Sequence, residues 1–109
     1  LTIIKDGKEF NIYFNQIAYI EYSLRDTTIY LNNNSKIKLS EKSLSLLSKE
    51  LDERFYQINR NIIINLDMEP IYNKGTVKIN HNEFQVSRRN QKDLKIKILE
   101  RSIYNARNI

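Results

Sequence analysis

The pattern of apolar, β-branched and aromatic runs between turn signals makes most of this chain read as short strands. Thr2–Lys5 and Glu9–Phe14 read as strands on either side of Asp6-Gly7-Lys8, a hairpin signal in which Gly7 is free to take positive φ. Residues 17–23 (IAYIEYS) are rich in β-branched and aromatic residues. Residues 25–27 (RDT) read as a turn, 28–31 (TIYL) resume the strand, and 32–35 (NNNS) turn again. Residues 36–39 (KIKL) alternate strictly, so Ile37 and Leu39 share a face. Residues 69–73, 76–80 and 83–87 form a predicted meander with Val77, Ile79, Phe84 and Val86 facing inward. Two segments break the pattern. Ser40 reads as an N-cap with Glu41 in the first turn, and Leu44, Leu47 and Leu51 then recur at helical spacing with Phe55 continuing the stripe. This predicts a short amphipathic helix over residues 41–53. A second helix begins near Ser87, with Leu94, Ile98, Leu99 and Ile103 as a rougher stripe. The expected fold is mostly β, with one helix mid-chain and one at the C-terminus.

Two polar interruptions do not fit a purely structural pattern. In FYQINRNIII (residues 55–64), Arg60 stands between Asn59 and Asn61 and directly against Ile62, Ile63 and Ile64. Phe55, Tyr56 and Ile58 read as a buried strand end, and Ile62–Ile64 as a short buried turn or helix. Arg60 is thus held between two anchored segments, which lowers the ordering cost of recognition. Its guanidinium can grip a phosphate or the O6/N7 edge of guanine, and Asn59 or Asn61 can pair with adenine N6/N7. The structural alternative pairs Arg60 with a carboxylate such as Asp67 and leaves the asparagines as local caps. In VSRR (residues 86–89), Ser87 reads as an N-cap, which puts Arg88 and Arg89 in the first helical turn. Cations there oppose the helix dipole at a cost of about 0.3–1 kcal/mol each. A docked phosphate would reverse that balance. The alternative is that the arginines are simply exposed and the cost small.

Length and composition narrow the classes. The 109 residues suit one domain with one core, and an apolar fraction of 40% suits a globular fold. The chain opens on Leu1, which suggests a domain cut from a longer protein. The net charge of +5 is carried entirely by residues 86–109, because the eleven Lys+Arg of residues 1–85 are balanced by eleven Asp+Glu. Such a basic segment attracts a polyanion; a solvated C-terminal helix is the other reading. With two glycines, no glycine-rich phosphate loop can be built. With no cysteine and one histidine (His81, in a predicted turn), neither a metal site nor a thiol nucleophile is expected. No cofactor, no small-molecule substrate and no catalytic constellation can be named, so an enzyme is not expected. The seven tyrosines could stack on bases but more commonly fill strands in small β folds. The apolar runs are too short for a membrane span or signal peptide, and a cytoplasmic location is expected.

Four stretches, in order, resemble the LytTR family of bacterial DNA-binding domains. QIAYIEYS is similar to its early I-x-Y-I-E strand, and SLSLLSKELDERF to its central helix. FYQINRNIIINLDMEPI is similar to its F-x-R-x-H-R-S-x-I-V-N segment, and FQVSRRNQKDLKIKI to its terminal V-S-R-R and Lys-rich helix. The likeness covers roughly residues 3–100. It implies about ten short strands in three small sheets with short helices. It also implies sequence-specific binding of double-stranded DNA by loops that reach successive major grooves and bend the duplex. Such domains are commonly the output half of two-component response regulators, behind an N-terminal receiver or sensor domain. Two copies often occupy paired direct repeats.

Carried over by position, Arg60 and Arg88 would contact bases in two separate major-groove approaches, with Asn59, Asn61 and Thr27 adding base contacts. Arg89, Lys92, Lys95, Arg25 and Thr28 would contact phosphates. Asn65 is expected to be structural. Asn59, Asn61 and Gln57 stand where the family frequently has His, Ser and Arg, and the early loop is less basic. The rival class is a protein-interaction module with a solvated basic helix. An RNA-binding β module is a third, which would need aromatics exposed on one sheet face.

Overall fold

The computed structural model describes residues 1–40 and 43–108. Among them, ten strands form three antiparallel sheets. The first is a hairpin of β1 (Thr2–Lys5) and β2 (Lys8–Asn11). The central sheet holds β3 (Ile17–Ser23), β4 (Asp26–Leu31), β5 (Lys36–Ser40), β6 (Phe55–Asn59) and β7 (Ile62–Asn65), in the order β5-β4-β3-β7-β6. The third is a meander of β8 (Ile71–Asn73), β9 (Thr76–Ile79) and β10 (Asn82–Gln85). Helices α1 (Leu44–Ser48) and α2 (Arg88–Arg107) complete the set. No described helix is long and apolar enough to cross a membrane.

The isoleucine run is a strand, not the expected turn or helix. Residues 62–64 form β7, flanked by β3 and β6 and covered on both faces. A strand buried on both faces has no polar side to alternate with, so its sequence is an unbroken apolar run. Ile62 and Ile64 join the cluster with Tyr19, Ile58, Val77, Ile79, Val86 and Leu94, while Ile63 joins Ile3, Ile17, Ile20, Ile29 and Leu47 on the other face. Each such side chain contributes roughly 1.5–3 kcal/mol on burial. The central sheet therefore sits between two cores, one closed by the first hairpin and α1, the other by the meander and α2.

Asn65 has the expected structural role. It is fully buried at the end of β7. Its Nδ2 donates to the carbonyls of Ile17 (2.8 Å) and Phe14 (3.3 Å), and its Oδ1 accepts from the Asp67 N–H (2.9 Å). The side chain thus ties the end of β7 to the start of β3.

The mid-chain helix is shorter than the leucine spacing suggests. Its N-cap is Ser43, whose Oγ accepts from the Leu46 N–H (3.2 Å), whereas Ser40 ends β5 opposite Asp26. Glu41 lies outside the described residues. Leu44 and Leu47 are buried, but Phe55 belongs to β6, so its place in the stripe is coincidental. On α2, Leu94 is buried and Ile98 packs beside it, while Leu99 and Ile103 are exposed. The packed face continues instead through Arg101 and Asn105, both bonded to Asp67. Gly75, at the β8–β9 turn, faces α2: a Cβ there would lie 3.2 Å from Gln91 Nε2.

Candidate nucleic-acid interface

In the central sheet, the end of β3, the start of β4, the end of β6 and the start of β7 share one edge of the molecule. The registers fix this: Ser23 pairs with Asp26, Glu21 with Ile62, and Asn59 with Ile62. The Tyr22 N–H donates to the Asn61 carbonyl (2.8 Å), so the two hairpin tips lie side by side. Strand spacing of ~4.8 Å puts the middles of the two hairpins only about 10 Å apart.

The β6–β7 turn holds Arg60 at its tip. β6 carries an irregularity between Gln57 and Asn59, a device that re-aims side chains at the end of a strand. Asn59 shapes the turn with both ends of its amide: Oδ1 accepts from the Asn61 N–H (2.7 Å), and Nδ2 donates to the Gln85 carbonyl (2.6 Å). Asn61 is exposed and its side-chain amide makes no hydrogen bond among the described residues. Arg60 is exposed and has no carboxylate partner there; Asp67, the alternative raised by the sequence, is held by Arg101 instead.

The start of α2 is sewn to the same turn. The Ser87 N–H donates to the Ile58 carbonyl (2.9 Å), and Asn90 Nδ2 reaches the carbonyls of Ile58 (3.3 Å) and Gln57 (3.4 Å). Ser87 occupies the N-cap position but its hydroxyl makes no capping bond. Arg88 and Arg89 follow in the first turn, both exposed, and that turn contains no acidic residue. Tyr56, Gln57, Asn59, Arg60, Arg89 and Asn90 line one cleft. The segments that carry Arg60 and Arg88 are thus bonded to each other. Asn90, which joins them, carries no signal in the sequence beyond its nearness to the arginines.

Tyr56 closes the cleft's inner side. Its hydroxyl donates to Asp93 Oδ2 (2.9 Å), and burial, reinforced by this bond, pushes its pKa up to about 12. The Asp93 carboxylate is thereby turned toward Tyr56, on the helix turn after the arginines.

At the β3–β4 tip, Leu24 and Arg25 are the two turn residues. Arg25 is exposed and unpaired among the described residues, because neighbouring Asp26 is bonded to Lys38 (3.1 Å). Thr27 does not fit the base-contact role expected of it: it is fully buried on β4 between Tyr22 and Leu39, so its side chain has no surface to offer. Thr28 is half-buried opposite Glu21 and Lys38. Lys92 is exposed on α2, whereas Lys95 lies over the Tyr72 ring, 5.5 Å from its centroid. Leu24, a lone leucine between Ser23 and Arg25-Asp26, is legible in the sequence as an apolar residue beside a turn.

Two turns of the central sheet and the start of α2 thus bring Arg25, Arg60, Arg88 and Arg89 to one edge of a fold built of three antiparallel sheets. The fold is that of a LytTr DNA-binding domain from Bacillus cereus, part of a protein described as a methyl-accepting/DNA response regulator. The two are 15% identical, with a TM-score of 0.69 over 90% of this chain and 94% of that one. Residues 7–99 match the LytTr DNA-binding domain family, and the chain belongs to it. No curated protein matches the sequence.

Proposed function

We propose that the chain is the sequence-specific, double-stranded-DNA-binding output domain of a response regulator, acting in the cytoplasm on transcription. One observation carries the reading: Arg25, Arg60, Arg88 and Arg89 gather at one edge of the fold with no carboxylate partner among the described residues. Unpaired cations repel one another and contribute nothing to folding, and a phosphate backbone supplies what they lack. Arg60 and Arg88 enter one major groove together and read bases, with Asn61 beside them; Asn59 shapes the loop. Arg89 and Lys92 hold phosphates at the start of α2, and Lys95 holds one further along. Arg25 and the β3–β4 tip make the second approach, with Thr28 behind them. The two approaches follow each other along a duplex that bends toward the protein, as the likeness to the family implies. Two copies on paired direct repeats would double the bound surface.

Selection from a random duplex library, followed by binding at several salt concentrations, tests this. Counterion release demands a steep linear fall of log K with log salt. A second reading, a protein-interaction module, is favoured by exposed Ile96, Leu99 and Ile103 along α2. Absence of binding to any duplex at low salt selects it.

A further inference from the structure

We propose that Leu24 is a base-reading residue, packing on the C5-methyl group of a thymine in the major groove and setting the preference at one position of the bound site. The inference rests on the DNA-binding reading above. Three two-residue turns of this fold have positive φ at both residues. Asp6-Gly7 (53° and 74°) and Lys74-Gly75 (45° and 84°) place glycine second, where no Cβ obstructs. The β3–β4 turn does the same with Leu24 (52°) and Arg25 (71°), neither of which is at ease there. Leu24 is also 92% exposed, so burial does not explain it. A single exposed leucine is ordinary. One held in a left-handed turn, beside Arg25 and next to the Arg60 turn, is not.

The chemistry narrows its target. An isobutyl group among cations gains nothing from phosphates. The only apolar group on the major-groove edges of the bases is the thymine methyl. β3 and β4 are paired on both sides almost to the turn, Asp26 with Ser40 and Tyr22 with Asn61, so only the Leu24-Arg25 tip projects, and the ~12 Å major groove admits it more readily than the ~6 Å minor groove. The left-handed turn then holds Leu24 at the leading point of that tip, with Arg25 beside it for the phosphate backbone.

The test uses a duplex selected by the wild-type chain, with each thymine replaced singly by deoxyuridine, which removes only the methyl group. For the wild type, one replacement should weaken binding about three- to fivefold, the effect of burying one methyl group. Leu24→Asn and Leu24→Gly should bind the thymine duplex as weakly as the wild type binds the deoxyuridine one, and lose all sensitivity to that replacement. Both residues suit the left-handed turn, so both variants should melt at or above the wild-type temperature, which separates lost contact from lost fold. A flat methyl scan for the wild type, or the same sensitive thymine in the Leu24 variants, overturns the assignment while leaving DNA binding intact. Failure of the wild type to bind any duplex overturns the DNA-binding reading and this inference with it.

Discussion

Helix α2 carries arginines at both ends of its packed length, and the two ends treat them oppositely. Toward the C-terminus, Arg101 is mostly buried and bonded to Asp67 through Nε (2.7 Å) and Nη2 (3.2 Å), with Asn105 on the same carboxylate (2.8 Å) and the Tyr104 ring 4.4 Å away. At the N-terminus, Arg88 and Arg89 are exposed, face the positive end of the dipole, and have no carboxylate partner among the described residues. The first arrangement stabilises the fold. The second costs stability, roughly 0.3–1 kcal/mol for each residue. A charge that the fold satisfies is structural, and one that the fold leaves unsatisfied is available to a partner.

Variants at the satisfied end should damage folding and spare DNA binding. The largest effect is expected at Asn65, which anchors the same corner. Asn65→Ala removes this partner from the Ile17 carbonyl and the Asp67 N–H, and leaves the Phe14 carbonyl only the Ile17 N–H, and should cost about 2–4 kcal/mol in denaturant unfolding. Asp67→Asn should cost about 1–3 kcal/mol, because Arg101 loses a charged, two-point partner. The Arg101 bonds hold the Asp67 carboxyl below its ordinary value of 3.8. A depressed folded value means that the unfolded chain takes up its proton first as pH falls. The Asp67 contribution is thus complete above that ordinary value and fades as pH drops toward the lower folded one. An acid titration of stability should show this step in the wild type and not in Asp67→Asn. If Asp67→Asn instead lost DNA affinity at full stability, the division between the two ends would fail.

At the unsatisfied end the pattern should invert. Arg88→Ala should cost about 1–3 kcal/mol of binding and relax preference at one base position. The same variant should stabilise the fold by about 0.3–1 kcal/mol, seen as a higher melting temperature. Lys92→Ala should have the smallest and most uniform effect: weaker binding to every sequence alike, and a salt slope shallower by roughly one.

The strands are largely legible as sequence because their signals are local: residues 17–23 lie where their β-branched and aromatic content puts them, and residues 36–39 where their alternation does. The Ile62–Ile64 run reads as a turn or helix in sequence because a strand covered on both faces loses alternation, and only the tertiary arrangement supplies the second cover. Phe55 fell into a helical stripe for the same kind of reason: spacing alone does not show where the chain turns. The arginines of the candidate interface are legible as breaches of local rules, Arg60 against isoleucines and Arg88 and Arg89 at a helix start. Their joining is not, since it depends on the Ser87-to-Ile58 backbone bond across sequence-distant segments. Thr27 was misplaced because the turn falls at Leu24-Arg25, which draws Thr27 back into the strand and the core.

The most direct test is the salt dependence of duplex binding by the wild type, by Arg25→Ala/Arg60→Ala/Arg88→Ala combined, and by Asp67→Asn, all on the selected site. The account predicts a steep slope for the wild type, a slope shallower by roughly one (the Arg25 phosphate contact) with loss of base preference for the triple variant, and the wild-type slope for Asp67→Asn. A triple variant that binds the selected site with the wild-type slope and preference would contradict it.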